Sequence, residues 1–475
     1  MKKVLFLVMI CTVAVITSCK KEYAIPAVSA PGSATVEVTE AVDLTFSFNA
    51  EGGYKSSSLV ATGGNAVIKT SPAEGAVSGN VVITFTAGKT SGAGSVTLTM
   101  TDKYDNSGLS TAVLNIVPVP TISVTDNITS DTTWETGKIY ILEGRITVFP
   151  GITLTIQPGV IIKGREGSES NATALMVARG AKLIAEGTAD SPIIFTSVGD
   201  QILPGEIESP NFDPDVNGLW GGLLILGKAP VSAEAEAMQI EGIPPSDLNG
   251  LYGGNDPTDN SGSLKYISIR HGGTNIGEGN EINGLTLGGV GSGTVIENIE
   301  IIANQDDGIE WFGGTVNVKN VVVLNTGDDA IDTDQSWGGT LDNFIIINPG
   351  DEGLELDGPE GIMEAKHILK NGSVFADNAQ GLADLDENSF VDMENIYFFG
   401  LKSGQDFDEL PTDYTCSFSN FEATLPAGTT LTDFFKNGSD AFTTAVAAGA
   451  NTVGANVSSF SGWSWTAVAG LLNEF

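Results

Sequence analysis

Three stretches of the chain place acidic residues at a fixed distance after an asparagine. Asn298 in ENIEIIANQDDGIEW, Asn320 in KNVVVLNTGDDAIDT and Asn343 in DNFIIINPGDEGLEL lie 22 and 23 residues apart. Nine residues after each come Asp307, Asp329 and Glu352, and three further on come Glu310, Asp332 and Glu355. If such units stack as coils, equivalent acids sit one strand spacing apart, ~4.8 Å. Two like charges at that distance cost about 0.9 kcal/mol in water, and several times more at lower dielectric. Exposure to salt, protonation or a bound cation relieves this. Ca²⁺ suits an all-oxygen site built from several carboxylates, so Asp307, Glu310, Asp329, Asp332, Glu352 and Glu355 are candidate cation ligands. The competing reading is that Asp and Asn build the turns and cap backbone amides. Neither an EF-hand loop nor a nonapeptide Ca²⁺ motif is present.

The same acids are the candidates for catalysis, with Asp307, Asp328, Asp329 and Asp332 the groups an enzyme would use. GDDAID at Gly327–Asp332 resembles the paired aspartates of polygalacturonase-like hydrolases, in which two carboxylates flank the glycosidic bond. The histidine-containing and Arg/Lys motifs expected downstream are missing: His367 sits in KHILKNG, and Arg270-His271-Gly272-Gly273 lies upstream. A polysaccharide lyase needs a basic residue and cationic help at a uronate, and a chain this acidic repels polyanions unless Ca²⁺ bridges them. Two histidines with no Gly-x-Ser-x-Gly setting leave little for a Ser-His-Asp triad. They leave equally little for zinc.

Aromatic residues supply a binding reading. Trp311-Phe312-Gly313-Gly314 and Trp337-Gly338-Gly339 follow the acidic turns, and Trp220-Gly221-Gly222 is a third such corner. Exposed rings beside carboxylates suit sugars, so Trp311, Trp337 and Trp220 are candidate glycan contacts. The alternative is a ring filling a coil corner over glycines.

What must position these residues is a repeat. Asn371 and Asn395 continue the phase at spacings of 28 and 24. Each unit holds strands of four or five β-branched residues, too short to bury a face alone, so units must stack in register. A leucine-rich repeat would need a leucine lattice that is absent. The period predicts a right-handed parallel β-helix over 121–414, with KIYILEGRITVFPGITLTIQPGVIIKG as its first coils. From 415 to 475 the period is lost, which predicts a C-terminal cap. Upstream, period-two alternation in Val42–Phe48, Val81–Thr86 and Val96–Thr101 predicts an Ig-like β-sandwich over 34–120. Pro118-Val119-Pro120 marks its end. The fold class is therefore all-β, a sandwich followed by a β-helix.

The N-terminus reads as an address. Lys2-Lys3, an apolar run from Val4 to Ile16 and the ending Ile16-Thr17-Ser18-Cys19 predict a signal peptide over 1–18. The run is too short to span a bilayer. The ending resembles a bacterial lipobox, which implies that Cys19 is lipidated and opens a tether over 19–33. Stable anchoring follows from more than one acyl chain. Membrane association is then by lipid anchor only, and an outer-membrane, surface-exposed lipoprotein is expected. Removal of Cys11 with the signal leaves Cys416 without a disulfide partner. A formal charge of −37, from 22 basic and 59 acidic residues, argues against nucleic acid, whose phosphates need basic patches.

GLWGGLLILGKAPV, the GLYGGNDPTDNSGSLKYISIRHGGTN…GGVGSGT region and DDGIEWFGGTVNVKNVVV resemble secreted and lipid-anchored bacterial β-helix proteins of the pectin-lyase-like architecture. The resemblance covers roughly 121–415 and implies fold and location; it carries no activity. The expectation is a cell-surface lipoprotein that binds a glycan or envelope component without catalysis, with Ca²⁺ as the candidate cofactor. The alternatives are a polysaccharide-degrading enzyme, hydrolase before lyase, and a structural or adhesive stalk.

Overall fold

Alternation of apolar and polar residues between Ala34 and Val117 lays down long antiparallel strands. The computed structural model describes residues 21–168, 171–274, 282–407 and 409–475; the expected signal peptide over 1–18 and the lipidation candidate Cys19 lie outside them. The described chain divides at Val119/Pro120 into two units. In the first, Ala27–Ser29, Ala41–Asn49, Ser78–Ala87 and Gly64–Thr70 make one four-stranded sheet. Ala34–Glu37, Ser107–Val117, Gly92–Asp102 and Tyr54–Thr62 make the other. Phe46, Ile83, Phe85, Leu98 and Leu114 are buried, each worth ~1.5–3 kcal/mol of apolar burial. Part of the expected tether is ordered: Ala27–Ser29 pairs antiparallel with Ser47–Asn49, a three-residue strand held between Pro26 and Pro31.

The second unit is a right-handed parallel β-helix built on two long sheets of sixteen and eight strands. Its coils share one interior, with Leu142, Ile162, Phe195, Leu264, Ile299, Val321, Phe344, Val374 and Phe398 in a continuous core. The long strands Val295–Ile302, Val318–Leu324, Thr340–Ile347, His367–Phe375 and Val391–Phe399 each turn in the middle at an asparagine. Asn298, Asn320, Asn343, Asn371 and Asn395 have φ of 60°, 56°, 68°, 58° and 60°. This left-handed region costs most residues ~1–2 kcal/mol and admits Asn more readily. Their carboxamides then stack: Asn320 donates to Asn298 Oδ1 at 2.8 Å, Asn343 to Asn320 Oδ1 at 2.7 Å and Asn395 to Asn371 Oδ1 at 3.0 Å.

One residue before this asparagine column runs a second ladder. Glu186, Lys265, Glu297, Lys319, Asp342, Lys370 and Glu394 are register partners in successive strands, strictly alternating in sign. Lys265 lies 3.3 Å from Glu186 and 3.5 Å from Glu297, and Lys370 lies 3.8 Å from Asp342.

The last residues depart from the expected cap. Coils continue through Thr443–Ala445, which pairs in parallel with Phe421–Ala423. The chain then runs back along the flank of the stack. Thr452 N–H donates to Glu422 at 2.6 Å, Ala455 N–H to Ser373 Oγ at 2.9 Å, Asn456 N–H to Asn343 Oδ1 at 2.5 Å, and Thr466 N–H to Glu300 at 2.9 Å. Phe460, Trp463 and Trp465 pack with Ile302, Val322, Leu324, Ile345 and Ile347. These five are apolar side chains on the second halves of the long strands, and covering them is the physical reason for the return.

Asn320→Ala should lose both the conformational tolerance and two carboxamide hydrogen bonds, roughly 2–4 kcal/mol together. Asn320→Gly, which keeps the backbone geometry, should lose about half as much. Urea denaturation of the two variants checks the difference, and equal stabilities would contradict the role given to the left-handed turn.

Candidate functional site

Short strands on the eight-stranded sheet carry the acidic repeat. Ile309–Phe312, Ile331–Asp334 and Leu354–Leu356 pair in parallel, with Glu310 opposite Asp332 and Asp332 opposite Glu355. The column continues to Asp384. Side chains alternate across a strand, so Ile309, Trp311, Ile331 and Leu354 enter the core while Glu310, Phe312, Asp332 and Asp334 face outward.

Outward is not exposed here. The segment 227–261 leaves the coil after Leu223–Leu226 and folds over this face. Val231, Ile240, Ile243 and Tyr252 pack on Leu224, Leu226 and Phe312. Arg145 reaches Asp247 at 3.4 Å, Arg179 donates to the Gly253 carbonyl at 2.8 Å, and Tyr252 Oη donates to Gln335 Oε1 at 2.9 Å. Under and beside this roof Asp307, Glu310 and Asp332 retain only 7%, 5% and 7% exposure.

One carboxylate oxygen from each of Asp307, Glu310 and Asp332 lies within 4.8 Å of the other two, and Asp306, Asp307 and Asp328 form a second such group. Asn283, 3% exposed, donates through Nδ2 to Glu310 Oε2, and its own Oδ1 has no hydrogen-bond partner. The turn acids also cap backbone: the Asp329 N–H donates to Asp307 Oδ1 at 3.0 Å, and the Glu352 N–H to Asp329 Oδ1 at 2.5 Å. Asp307 thus both caps the turn and joins the convergent group.

Burial, reinforced by neighbouring carboxylates, holds Asp307, Glu310 and Asp332 well above the usual carboxylate range. Asp329 is pushed up to about 11 by burial and by its hydrogen bond to Glu355. Asp334 rises to about 6 through burial, against a hydrogen bond with Glu310 that lowers it. Asp357 rises to about 7 through burial and then the charges of Asp334 and Asp386.

The six expected ligands therefore divide. Asp307, Glu310 and Asp332 converge, Asp329 pairs with Glu355, and Glu352 stands outside both oxygen groups. Of the catalytic candidates Asp328 is exposed, while Asp307, Asp329 and Asp332 are buried. The aromatic expectation is corrected outright. Trp220, Trp311 and Trp337 are 0% exposed and lie inside the coils, where no sugar can stack on them. Trp311 and Trp337 stack on each other at 4.7 Å, and Trp337 lies 5.4 Å from His367. Trp220 and Trp337 donate to the carbonyls of Arg270 and Val316. The glycines beside them make room: a Cβ at Gly164 would stand 2.7 Å from Trp220, and one at Gly339 2.6 Å from Trp337. His367 is buried and neutral, pushed down to about 3.

Asn283, Asp306, Asp334, Asp357 and the roof were not among the expected site residues. Strand parity points to Asp334, two residues after Asp332. The roof has a fainter signal, an interval between the rungs Leu223–Leu226 and Leu285–Gly288 far longer than one coil.

A carboxyl whose folded-state pKa is raised keeps its proton in the native state and has lost it in the unfolded one, so stability falls as pH rises. Above about pH 7.5 both histidines are largely neutral in either state, and these acids dominate. In chelator, the melting temperature should therefore fall between about pH 7.5 and about pH 9. Differential scanning calorimetry checks this, and a rise would contradict the protonated cluster.

A family profile described as a pectate-lyase like beta helix domain matches residues 126–466. No curated protein matches the chain. Among solved structures it is similar to the SrpA adhesin of Streptococcus sanguinis, at 16% identity and a TM-score of 0.18, covering 23% of this chain and 70% of that one. It is also similar to the Family 28 exopolygalacturonase of Yersinia enterocolitica, at 12% identity and a TM-score of 0.22, covering 89% of this chain and 90% of that one.

Proposed function

The chain belongs to the pectate-lyase-like β-helix family, and we propose that it is a lipid-anchored outer-membrane protein, displayed at the cell surface through Cys19. Its β-helix holds a divalent cation on the acidic face and binds a glycan or another envelope component without breaking it down.

The observation that carries the cation is the contrast between two columns of charge in one molecule. Where charged residues stack on the sixteen-stranded sheet, the chain alternates acid and lysine rung by rung. On the eight-stranded sheet it stacks Glu310, Asp332, Glu355 and Asp384 with no basic residue between them, and places a roof over the first two. Burying uncompensated like charges is costly, and a cation removes the cost. The donors are all oxygen, three carboxylates, with the buried Asn283 amide beside Glu310. That chemistry suits Ca²⁺, which takes six to eight oxygens in flexible geometry, and not zinc, which favours nitrogen and sulfur. Asp307, Glu310 and Asp332 would hold the ion, and Asp306 and Asp328 extend the site toward solvent.

A hydrolase is the second reading, favoured by one juxtaposition. Exposed Asp328 lies beside Asp307, which keeps its proton, with oxygens within 4.8 Å. Inverting glycosidases need their carboxyls ~6.5–9.5 Å apart to seat a water, so this spacing disfavours them.

Saturating Ca²⁺ should raise the melting temperature by several degrees over chelator at about pH 8, since a ligand bound only to the native state adds ~2.7 kcal/mol at a hundredfold excess over Kd. Asp332→Asn should abolish most of that rise. No shift, with no metal by elemental analysis, would remove the cation. Incubation with a panel of neutral and acidic polysaccharides should release no reducing ends; turnover lost in Asp328→Asn would replace this reading by the enzyme.

A further inference from the structure

The alternating column on the sixteen-stranded sheet does more than hold coils together. Two adjoining hollows open along it, of about 430 Å³ and about 360 Å³, sharing Lys319 and Asp342 in their walls. The first is floored by the opening halves of three successive long strands, with Glu297 and Thr340 at its sides. The second runs over Asn320, Asn343 and Asn371 and is closed on one side by Gly454, Asn456 and Ser459 of the returning tail. Together they form a groove that crosses coils along the axis of the helix, on a different sheet from the acidic cluster.

Its chemistry is polar and balanced. Glu297, Lys319 and Asp342 line it and, with Lys370 on the next rung outside the hollows, alternate in sign, so the groove stays close to neutral in a chain whose formal charge is −37. Lys319 is the rung that stays uncommitted: exposed, and with no ion pair or hydrogen bond among the described residues. Asn320 is half committed. A carboxamide offers two N–H donors and two lone pairs. Asn320 spends one donor on Asn298 and one lone pair on Asn343, which leaves a donor and an acceptor at the groove wall. Asparagine positions recur each coil, ~4.8 Å on, but Asn343 is taken up by Asn320 and by the N–H and carbonyl of Asn456, and Asn371 donates to Asp342.

A wall offering carboxylates, amides and one ammonium at a regular step matches a partner with hydroxyls at a regular step. Polyanions are repelled by the molecule as a whole, and the groove's carboxylates, Glu297 and Asp342, already face Lys265 and Lys370. We propose that this groove binds an extended neutral oligosaccharide along the helix axis, about one sugar unit per coil, with Lys319 at its centre. This rests on the reading of the chain as a glycan-binding surface protein and locates the binding away from the cation.

The test is isothermal titration of the intact, detergent-purified protein with cellohexaose, xylohexaose, mannohexaose and chitohexaose. At least one should bind, and Lys319→Ala and Thr340→Trp should each weaken it about tenfold or more, with the melting temperature unchanged for Lys319→Ala. The affinity should be the same in chelator as in Ca²⁺. Absence of binding to all four, or equal affinity in Lys319→Ala and Thr340→Trp, would overturn the groove. If binding were lost in chelator and kept in Lys319→Ala, the groove would fall while the surface-binding reading stood. The Ca²⁺ titration reads the cation half separately.

Discussion

Parallel register sets the terms for everything else in the β-helix. A strand of four or five residues has no stable existence alone, and it gains one only by lying against its equivalents in the coils before and after. That requires each coil to turn at the same place. The asparagines at 298, 320, 343, 371 and 395 meet the requirement by accepting a left-handed backbone and by linking their carboxamides in two runs, 298 to 343 and 371 to 395, with Asn371 donating to Asp342 between them. Once the turns coincide, Ile299 must meet Val321 and Phe344 in the core, and Glu310 must meet Asp332 outside it.

Register is indifferent to whether the stacked groups suit each other, so charge has to be managed by sequence. On one sheet the chain alternates signs and draws modest, solvent-screened stability from them. On the other it does the opposite and covers the result with the 227–261 segment. Such a concentration of acids, kept from water by Val231, Ile243 and Tyr252, is poor design for folding alone. Sites that compromise local consistency are where function is usually found.

Much of this was legible before any coordinates. The asparagine phase exposed the coils because left-handed turns restrict which residues can stand there, and the acidic stack followed from counting onward from each turn. Parity decides between the two readings of the tryptophans: if Glu310 faces out, Trp311 must face in, which is the corner-filling alternative and not the glycan contact. Asp334 was missed though the same parity points to it. The roof and the returning tail were out of reach for a different cause. Neither has a period, and each is held by contacts across the stack, such as Tyr252 to Gln335 and Thr466 to Glu300, which leave no local trace.

The returning tail changes how such an array comes apart. Coils that touch only their neighbours fray from an end, each loss independent of the far end. Here a single strap is fastened at Glu422, Ser373, Asn343 and Glu300 in turn, like a drawstring threaded against the direction of stacking. No coil in that span can peel away without disturbing the strap that secures the rest, so the C-terminal half gives way as a block.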